Sequence, residues 1–232
     1  MDTPQPTAEE IQARVLHRDG LMLVIDKPAG IPVHRGPKGG ANLEASFDAL
    51  RFGLPRPPVL AHRLDRDTSG CLVLGRHRKA TASLGLLFKH GKISKTYWAV
   101  VEGGPTEDEG IIDIPLGRLN EERGWWQKPD PNGLPSMTKW KVMGRGDGLA
   151  WLAMEPITGR THQLRVHSAA SGWPILGDNI YGNGPRFGEP SLHLHARKIA
   201  IPLSKNKPPV VVTAPAPEHL HARLSACGWT PG

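Results

Sequence analysis

The chain has 232 residues, 38% hydrophobic and 22% charged, enough to bury a core in one large domain or two small ones. Its formal net charge of +7 favours an anionic partner, and a phosphate partner would make binding salt-dependent. No apolar run approaches the roughly 18 residues of a membrane span, and Met1-Asp2-Thr3-Pro4-Gln5-Pro6 does not read as a secretory leader. Cys71 and Cys227 make neither a disulfide framework nor a thiolate zinc site, so a cytoplasmic setting is expected.

Thr7-Ala8-Glu9-Glu10 has capping-box spacing and predicts a short helix. Arg14-Val15-Leu16-His17 and Leu21-Met22-Leu23-Val24-Ile25 then flank Asp19-Gly20, a hairpin signal. After the loop Gly36-Pro37-Lys38-Gly39-Gly40, Asn42 is placed to cap a helix through Leu50. Pro55-Arg56-Pro57-Pro58 returns the chain to Val59-Leu60, and Cys71-Leu72-Val73-Leu74 reads as a buried strand ending at Gly75. Residues 78–90 predict a helix with Leu84, Leu87 and Phe88 on one side and Gly91 at its end. Strands are predicted over 93–101, 111–116, 137–142 and 149–156, with Lys95 and Tyr97 on one face of the first. Thr161 is expected to cap a helix stopped by Gly172 and Pro174, and 199–203 with 210–213 form a last hairpin around Lys205-Asn206-Lys207-Pro208. Hairpins and interspersed helices without repeats predict an α+β domain.

Residues 62–70 hold the chemistry. They read His62-Arg63-Leu64-Asp65-Arg66-Asp67-Thr68-Ser69-Gly70, an acid between two arginines in a polar turn that feeds a buried strand. Flanking cations favour an ionised carboxylate, which in a basic cleft suits work on a polyanion. Taken alone, the same residues would also make a surface turn with ordinary ion pairs.

As a set, the nine residues resemble the signature H-R-L-D-R-x-T-S-G of the RluA-type RNA pseudouridine synthases, whose catalytic aspartate is the first Asp, here Asp65. Asp26-Lys27-Pro28-Ala29-Gly30 is similar to the family's K-P-x-G segment, and Lys95-Thr96-Tyr97 to its K-x-Y. Gly159-Arg160-Thr161-His162-Gln163-Leu164-Arg165-Val166-His167 matches G-R-T-H-Q-[IL]-R-V-H, and Pro174-Ile175-Leu176-Gly177-Asp178 and Leu194-His195-Ala196 also fit. The matches follow the family's order from about Leu21 to Ala196.

The resemblance implies one pseudouridine synthase catalytic domain over 14–217, a mixed, mainly antiparallel sheet with flanking helices around a central RNA-binding cleft. Residues 1–13 would be a tail with a short helix and 218–232 a C-terminal tail, with no S4-type module ahead of the domain. It implies isomerisation of uridine in ribosomal (23S) and/or transfer RNA, where the base leaves the ribose through N1 and rejoins through C5. Substrate and product are isomers, so no ATP, redox cofactor, nucleotide cofactor or metal is expected. Asp65 would be the essential group, as nucleophile or as general base. Arg165 would pair with it, Tyr97 stack on the target base and Leu164 pack nearby. Arg63 would enter the space left by the flipped nucleotide, while His62, Arg66, Thr68 and Ser69 shape the loop and touch phosphate. The expected partner is a structured RNA stem-loop bound by a monomer, away from membranes. A non-catalytic RNA-binding protein with the same fold is the alternative, and a carboxylate-dependent RNA hydrolase a further one.

Other candidates fare worse. Gly85 to Gly91-Lys92 has the wrong spacing for a P-loop and lies at a helix end. Gly182-Asn183-Gly184-Pro185-Arg186-Phe187-Gly188 is no dinucleotide fingerprint, since Pro185 precludes the helix. His162 with His167, and His193 with His195, lack a third ligand at metal spacing and read as structural histidines. Arg123-Gly124-Trp125-Trp126-Gln127-Lys128 departs from the family's lysine-rich stretch. It suits either stacking on unpaired bases or closing over the core.

Overall fold

The computed structural model describes residues 4–36, 39–121, 125–204 and 206–231. Arg123 and Gly124 of the cation–aromatic run, Pro37 and Lys38 of the glycine-rich loop, Lys205 of the last hairpin, and residues 1–3 lie outside the described residues. The chain divides into two compact units, Met1–Ser94 with Ala196–Pro215, and Lys95–His195 with Ala216–Gly232. The class is α+β with mainly antiparallel pairing.

In the first unit, α1 (Ala8–Ala13) opens on the expected capping box: the Glu10 amide donates to Thr7 Oγ1 at 3.2 Å and the Thr7 amide to Glu10 Oε2 at 2.8 Å. β1 (Val15–Arg18) and β2 (Met22–Lys27) form the predicted antiparallel hairpin. The Asp19 carboxylate closes its turn by accepting from the amides of Leu21 and Met22. Asn42 caps as expected, at 3.1 Å to the Ala45 amide, but Leu43–Leu50 is a 3-10 rather than an α-helix. β3 (Val59–Leu60) pairs with β4 (Ser69–Gly75), whose seven residues are all buried; α2 (Arg78–Lys89) follows and ends before Gly91. β2 and β4 read as unbroken apolar runs because they are covered on both faces. β11 (Leu194–Ile201) enters this unit at Ala196 and pairs with β12 (Val210–Thr213), and the strand order is β1-β2-β4-β11. Met22, Val24, Cys71, Val73, Ile199, Ile201 and Val212 form its core with Leu84 of α2.

The second unit is built on β5 (Ser94–Glu102), β6 (Glu109–Asp113), β9 (Met137–Gly146) and β10 (Leu149–Pro156), ordered β5-β10-β9-β6. Its register places Tyr97 opposite Met154, and a bulge between Trp151 and Leu152 shifts the pairing of β10 with β9. Between β6 and β9 the chain makes a small hairpin unforeseen in the sequence, β7 (Leu116–Arg118) with β8 (Gln127–Pro129). α3 runs Gln163–Ala170. Its cap corrects the expectation for Thr161: His162 holds the N-cap position in left-handed backbone, φ 53°, with no side-chain cap bond.

The segment expected as a C-terminal tail, 218–232, has structure of its own. It holds α4 (Glu218–Ala226), whose Leu220 and Leu224 are fully buried in a cluster with Val100 and Trp151. No helix among the described residues is long and apolar enough to cross a membrane.

Candidate active site

One ammonium group pins the loop that carries Asp65. Lys27, at the end of β2 and fully buried, donates to the carbonyl oxygens of Pro28, Arg66 and Thr68 at 2.8, 2.8 and 2.9 Å. The Arg66 carbonyl also accepts from the Gly30 amide at 2.9 Å, and the Thr68 amide closes a turn onto the Asp65 carbonyl at 3.2 Å. Asp65 is thus the first residue of a turn whose backbone is fixed on both sides, with its side chain half-buried. Burial outweighs the raising effect of the Asp67 and Asp65 carboxylates and leaves the pKa of Lys27 lowered to about 7. Three acceptors for three ammonium protons suit the charged form.

The two arginines beside Asp65 do different things. Arg66 forks onto Asp67, at 3.0 Å from Nε and 3.3 Å from Nη2. Arg63 is exposed and makes no hydrogen bond or ion pair among the described residues. His62 accepts from the Val73 amide at 3.0 Å and stacks on Phe88 of α2 with ring centroids 4.2 Å apart, so it fixes the approach to β4. Thr68 is 2% exposed, and its carbonyl is one of the three acceptors of Lys27. Gly70 has φ 104°, and a Cβ there would run into the backbone of Ala196, so the Thr-Ser-Gly end of the signature needs glycine to lie against β11.

In the second unit, the motif from Gly159 to His167 forms the start of α3 and the turn before it. Gln163 donates to the Met137 carbonyl at 2.9 Å and to Thr138 Oγ1 at 3.0 Å, tying the first turn of α3 to β9. His167 is fully buried, with Nδ1 2.9 Å from Thr138 Oγ1 and Nε2 3.0 Å from the Ile114 carbonyl. Burial lowers its pKa below the ordinary range, and it stands as the structural histidine the spacing predicted.

With α3 so fixed, Arg165 meets Asp178 in a two-pronged ion pair, Nε to Oδ2 at 2.8 Å and Nη2 to Oδ1 at 2.7 Å. The side chains are 4% and 0% exposed. Burial alone would raise the Asp178 carboxyl, but the Arg165 fork and the amides of Ile180 and Tyr181 outweigh it and leave the pKa low. Gly177 turns the chain at φ 78°, where a Cβ would strike the Ser191 and Pro190 carbonyls, and so delivers Asp178 to this position. The Arg165 guanidinium carbon also lies 5.4 Å from the centre of the Tyr181 ring. Leu164, next to Arg165, is buried in a cluster with Met154 and Leu152, and Tyr97 packs half-buried against that cluster.

Lys95 shares the Tyr97 face of β5, with Nζ 3.7 Å from where a Cβ on Gly159 would stand. Burial lowers its pKa, and it has no hydrogen bond or ion pair among the described residues.

The structure therefore gathers His62, Arg63, Asp65, Arg66 and Thr68 on one fixed loop of the first unit, and Tyr97, Leu164 and Arg165 on β5 and α3 of the second. Sequence reasoning missed the roles of Lys27, Lys95 and Asp178, although each stands in a segment that reasoning had marked. Among the described residues no group of three or more His, Cys, Asp or Glu side chains could hold a metal ion.

Comparison with known proteins bears on the same residues. Residues 21–170 match the family model described as RNA pseudouridylate synthase, a stretch that contains Asp65, Tyr97 and Arg165. An RNA pseudouridine synthase of Zymomonas mobilis, described as uncharacterized, is 43% identical over 206 residues, covering 88% of this chain and 93% of that one. Ribosomal large subunit pseudouridine synthase C of Vibrio vulnificus is 35% identical over 220 residues, covering 91% of this chain and 68% of that one. Among solved structures, human RNA pseudouridylate synthase domain containing 4 aligns with a TM-score of 0.81 at 26% identity, covering 97% of each chain. A fixed aspartate loop, an oriented arginine and these matches agree: the chain belongs to the RluA-type RNA pseudouridine synthases, enzymes that isomerise uridine in RNA.

Proposed function

We propose that this enzyme isomerises specific uridines of structured ribosomal RNA (23S) and/or transfer RNA, acting as a monomer in the cytoplasm. The observation that carries the reading is the fixed loop of Asp65, held by Lys27 and Gly30 while Arg63 stands open beside it. The relative named for the large ribosomal subunit supports a ribosomal target, and the free, buried thiols of Cys71 and Cys227 suit a reducing compartment.

In this reading the target uridine leaves its stack, at a cost of a few kcal/mol that contacts elsewhere offset. Arg63 fills the space it vacates. The base lies against Tyr97, with Leu164 behind. Asp65 acts at the ribose or the base as the N1 bond breaks, while Asp178 aims Arg165. The base turns while still held, and C5 takes the bond that N1 gave up; the C5 proton is then released and N1 ends protonated, so the product is an isomer of the substrate. Lys95 offers a charge to the backbone phosphates.

Mapping pseudouridine across all cellular RNA, with and without the gene, tests the proposal. Sites in 23S or transfer RNA that vanish on deletion, and return with wild-type enzyme but not with Asp65→Asn, are the expected result. Loss of sites only in other RNA classes would refute the substrate assignment.

A further inference from the structure

The Trp125-Trp126 pair is unused by this mechanism, and the structure separates its members. Trp126 is half-buried, whereas Trp125 is 58% exposed, an unusual place for the largest side chain. Yet Trp125 is oriented. Its ring meets Trp126 at 82°, with centroids 5.6 Å apart, and His162 at 89°, with centroids 5.5 Å apart. His162 is itself held, with Nδ1 2.8 Å from the Tyr181 hydroxyl, and that hydroxyl accepts from the Gln127 amide at 2.9 Å. Tyr181 is also the ring under Arg165. The exposed indole is therefore linked to Arg165 through two rings, His162 and Tyr181.

The surroundings suit a polyanion. Arg118 of β7, Lys128 of β8 and Arg160 before α3 are all exposed, and the Arg160 side chain is steadied by a 3.2 Å bond from Nε to the Pro135 carbonyl. An aromatic face among cations fits an unpaired base with its phosphates. Left-handed backbone at His162 adds to the case, because strain in a non-glycine residue persists where the surroundings impose it. Here that strain presents the imidazole to Trp125.

We propose that Trp125 is a stacking platform for an unpaired base flanking the target uridine, and so a positioning and context-reading residue of this enzyme. The inference rests on the functional reading above. Its test is therefore a binding measurement that stands whether or not turnover occurs.

The probe is an unstructured RNA nonamer with a single uridine among cytidines, bound to the full chain as wild type, Trp125→Phe and Trp125→Ala. Trp125→Ala should bind roughly five- to a hundred-fold more weakly, the worth of one base stack, with the salt slope unchanged. Trp125→Phe should bind within about two-fold of wild type. The emission quenched on binding by wild type but absent from Trp125→Phe should belong to this indole. Removing the base at one position beside the uridine should weaken wild type and leave Trp125→Ala indifferent. Equal binding by Trp125→Ala overturns the proposal. So do a reduced salt slope, binding without quenching of Trp125, and failure of wild type to bind at low salt, since a platform already open needs no folded RNA. Failure of the functional reading looks different: cellular RNA would show no pseudouridine that depends on the enzyme, while quenching on the nonamer persisted.

Discussion

Asp65, Lys27 and Lys95 carry charges whose consequences can be separated. Asp65→Asn keeps shape and removes the charge. Turnover should fall below about a hundredth of wild type, a barrier increase above about 2.7 kcal/mol, with RNA affinity and thermal stability nearly unchanged. Single-turnover assay of the variant checks this, and higher residual activity would remove Asp65 from the chemistry. Lys27→Met is of similar length but strands three carbonyls, at about 1–3 kcal/mol for each group left unpaired. Denaturant unfolding should show a loss of at least about 3 kcal/mol. A neutral result would mean that water replaces the ammonium. Lys95→Met should act the other way on stability. A partly buried cation without a counter-ion among the described residues is costly, so the variant should melt higher, by on the order of 1 kcal/mol, while binding RNA less well. The turn that carries Asp65, feeding a buried strand, was legible because its residues are contiguous. The role of Lys27 was not, because its Arg66 and Thr68 acceptors lie 39 and 41 residues further on. Spacing along a chain carries no record of such closure.

At the scale of elements, the ion pair that joins α3 to the 177–178 turn offers a pH test. The Asp178 pKa is depressed in the folded state, so the unfolded chain binds the proton more readily as pH falls. The pair's contribution is complete above the ordinary aspartate value of about 3.9 and disappears as pH falls through the lower folded value. Asp178→Asn should therefore be less stable than wild type at neutral pH, by about 3–5 kcal/mol if the Arg165 charge is left buried and uncompensated. The difference should shrink in the acid range. Melting curves of both proteins from pH 7 to pH 2 check it, and a gap that stays constant would detach the effect from the Asp178 charge. Elements with local signals were readable here: the Thr7 box, the Asp19-Gly20 turn and the apolar runs of β2 and β4. α4 escaped notice because Pro217 offers no cap bond and only Leu220 and Leu224 are buried, too few to set a period. The start of α3 was misread because tertiary contacts, not Thr161, set the backbone of His162.

For the whole molecule, the net charge of +7 and the exposed arginines and lysines make a prediction about solution conditions. If binding neutralises several phosphates, log affinity should fall linearly with log salt, with a slope of about −0.7 for each phosphate on single-stranded RNA. Filter binding between 50 and 200 mM salt, as order-of-magnitude working conditions, gives the slope, and a flat line would contradict a polyanion interface. The division of the chain has a separate consequence for synthesis. The first unit is made of two pieces of chain, and its strands β11 and β12 are translated only after almost all of the second unit. While the ribosome is still making residues 95–195, β4 therefore waits with one neighbour missing, and the unpaired flank beside Gly70 is open to water and to other chains. The loop of Asp65 runs straight into that waiting strand. A nascent chain stalled before Ala196 should consequently be open to protease throughout 59–75 and prone to aggregate, whereas one released after Pro215 should resist. Catalytic competence thus arrives late, with one of the last strands to leave the ribosome.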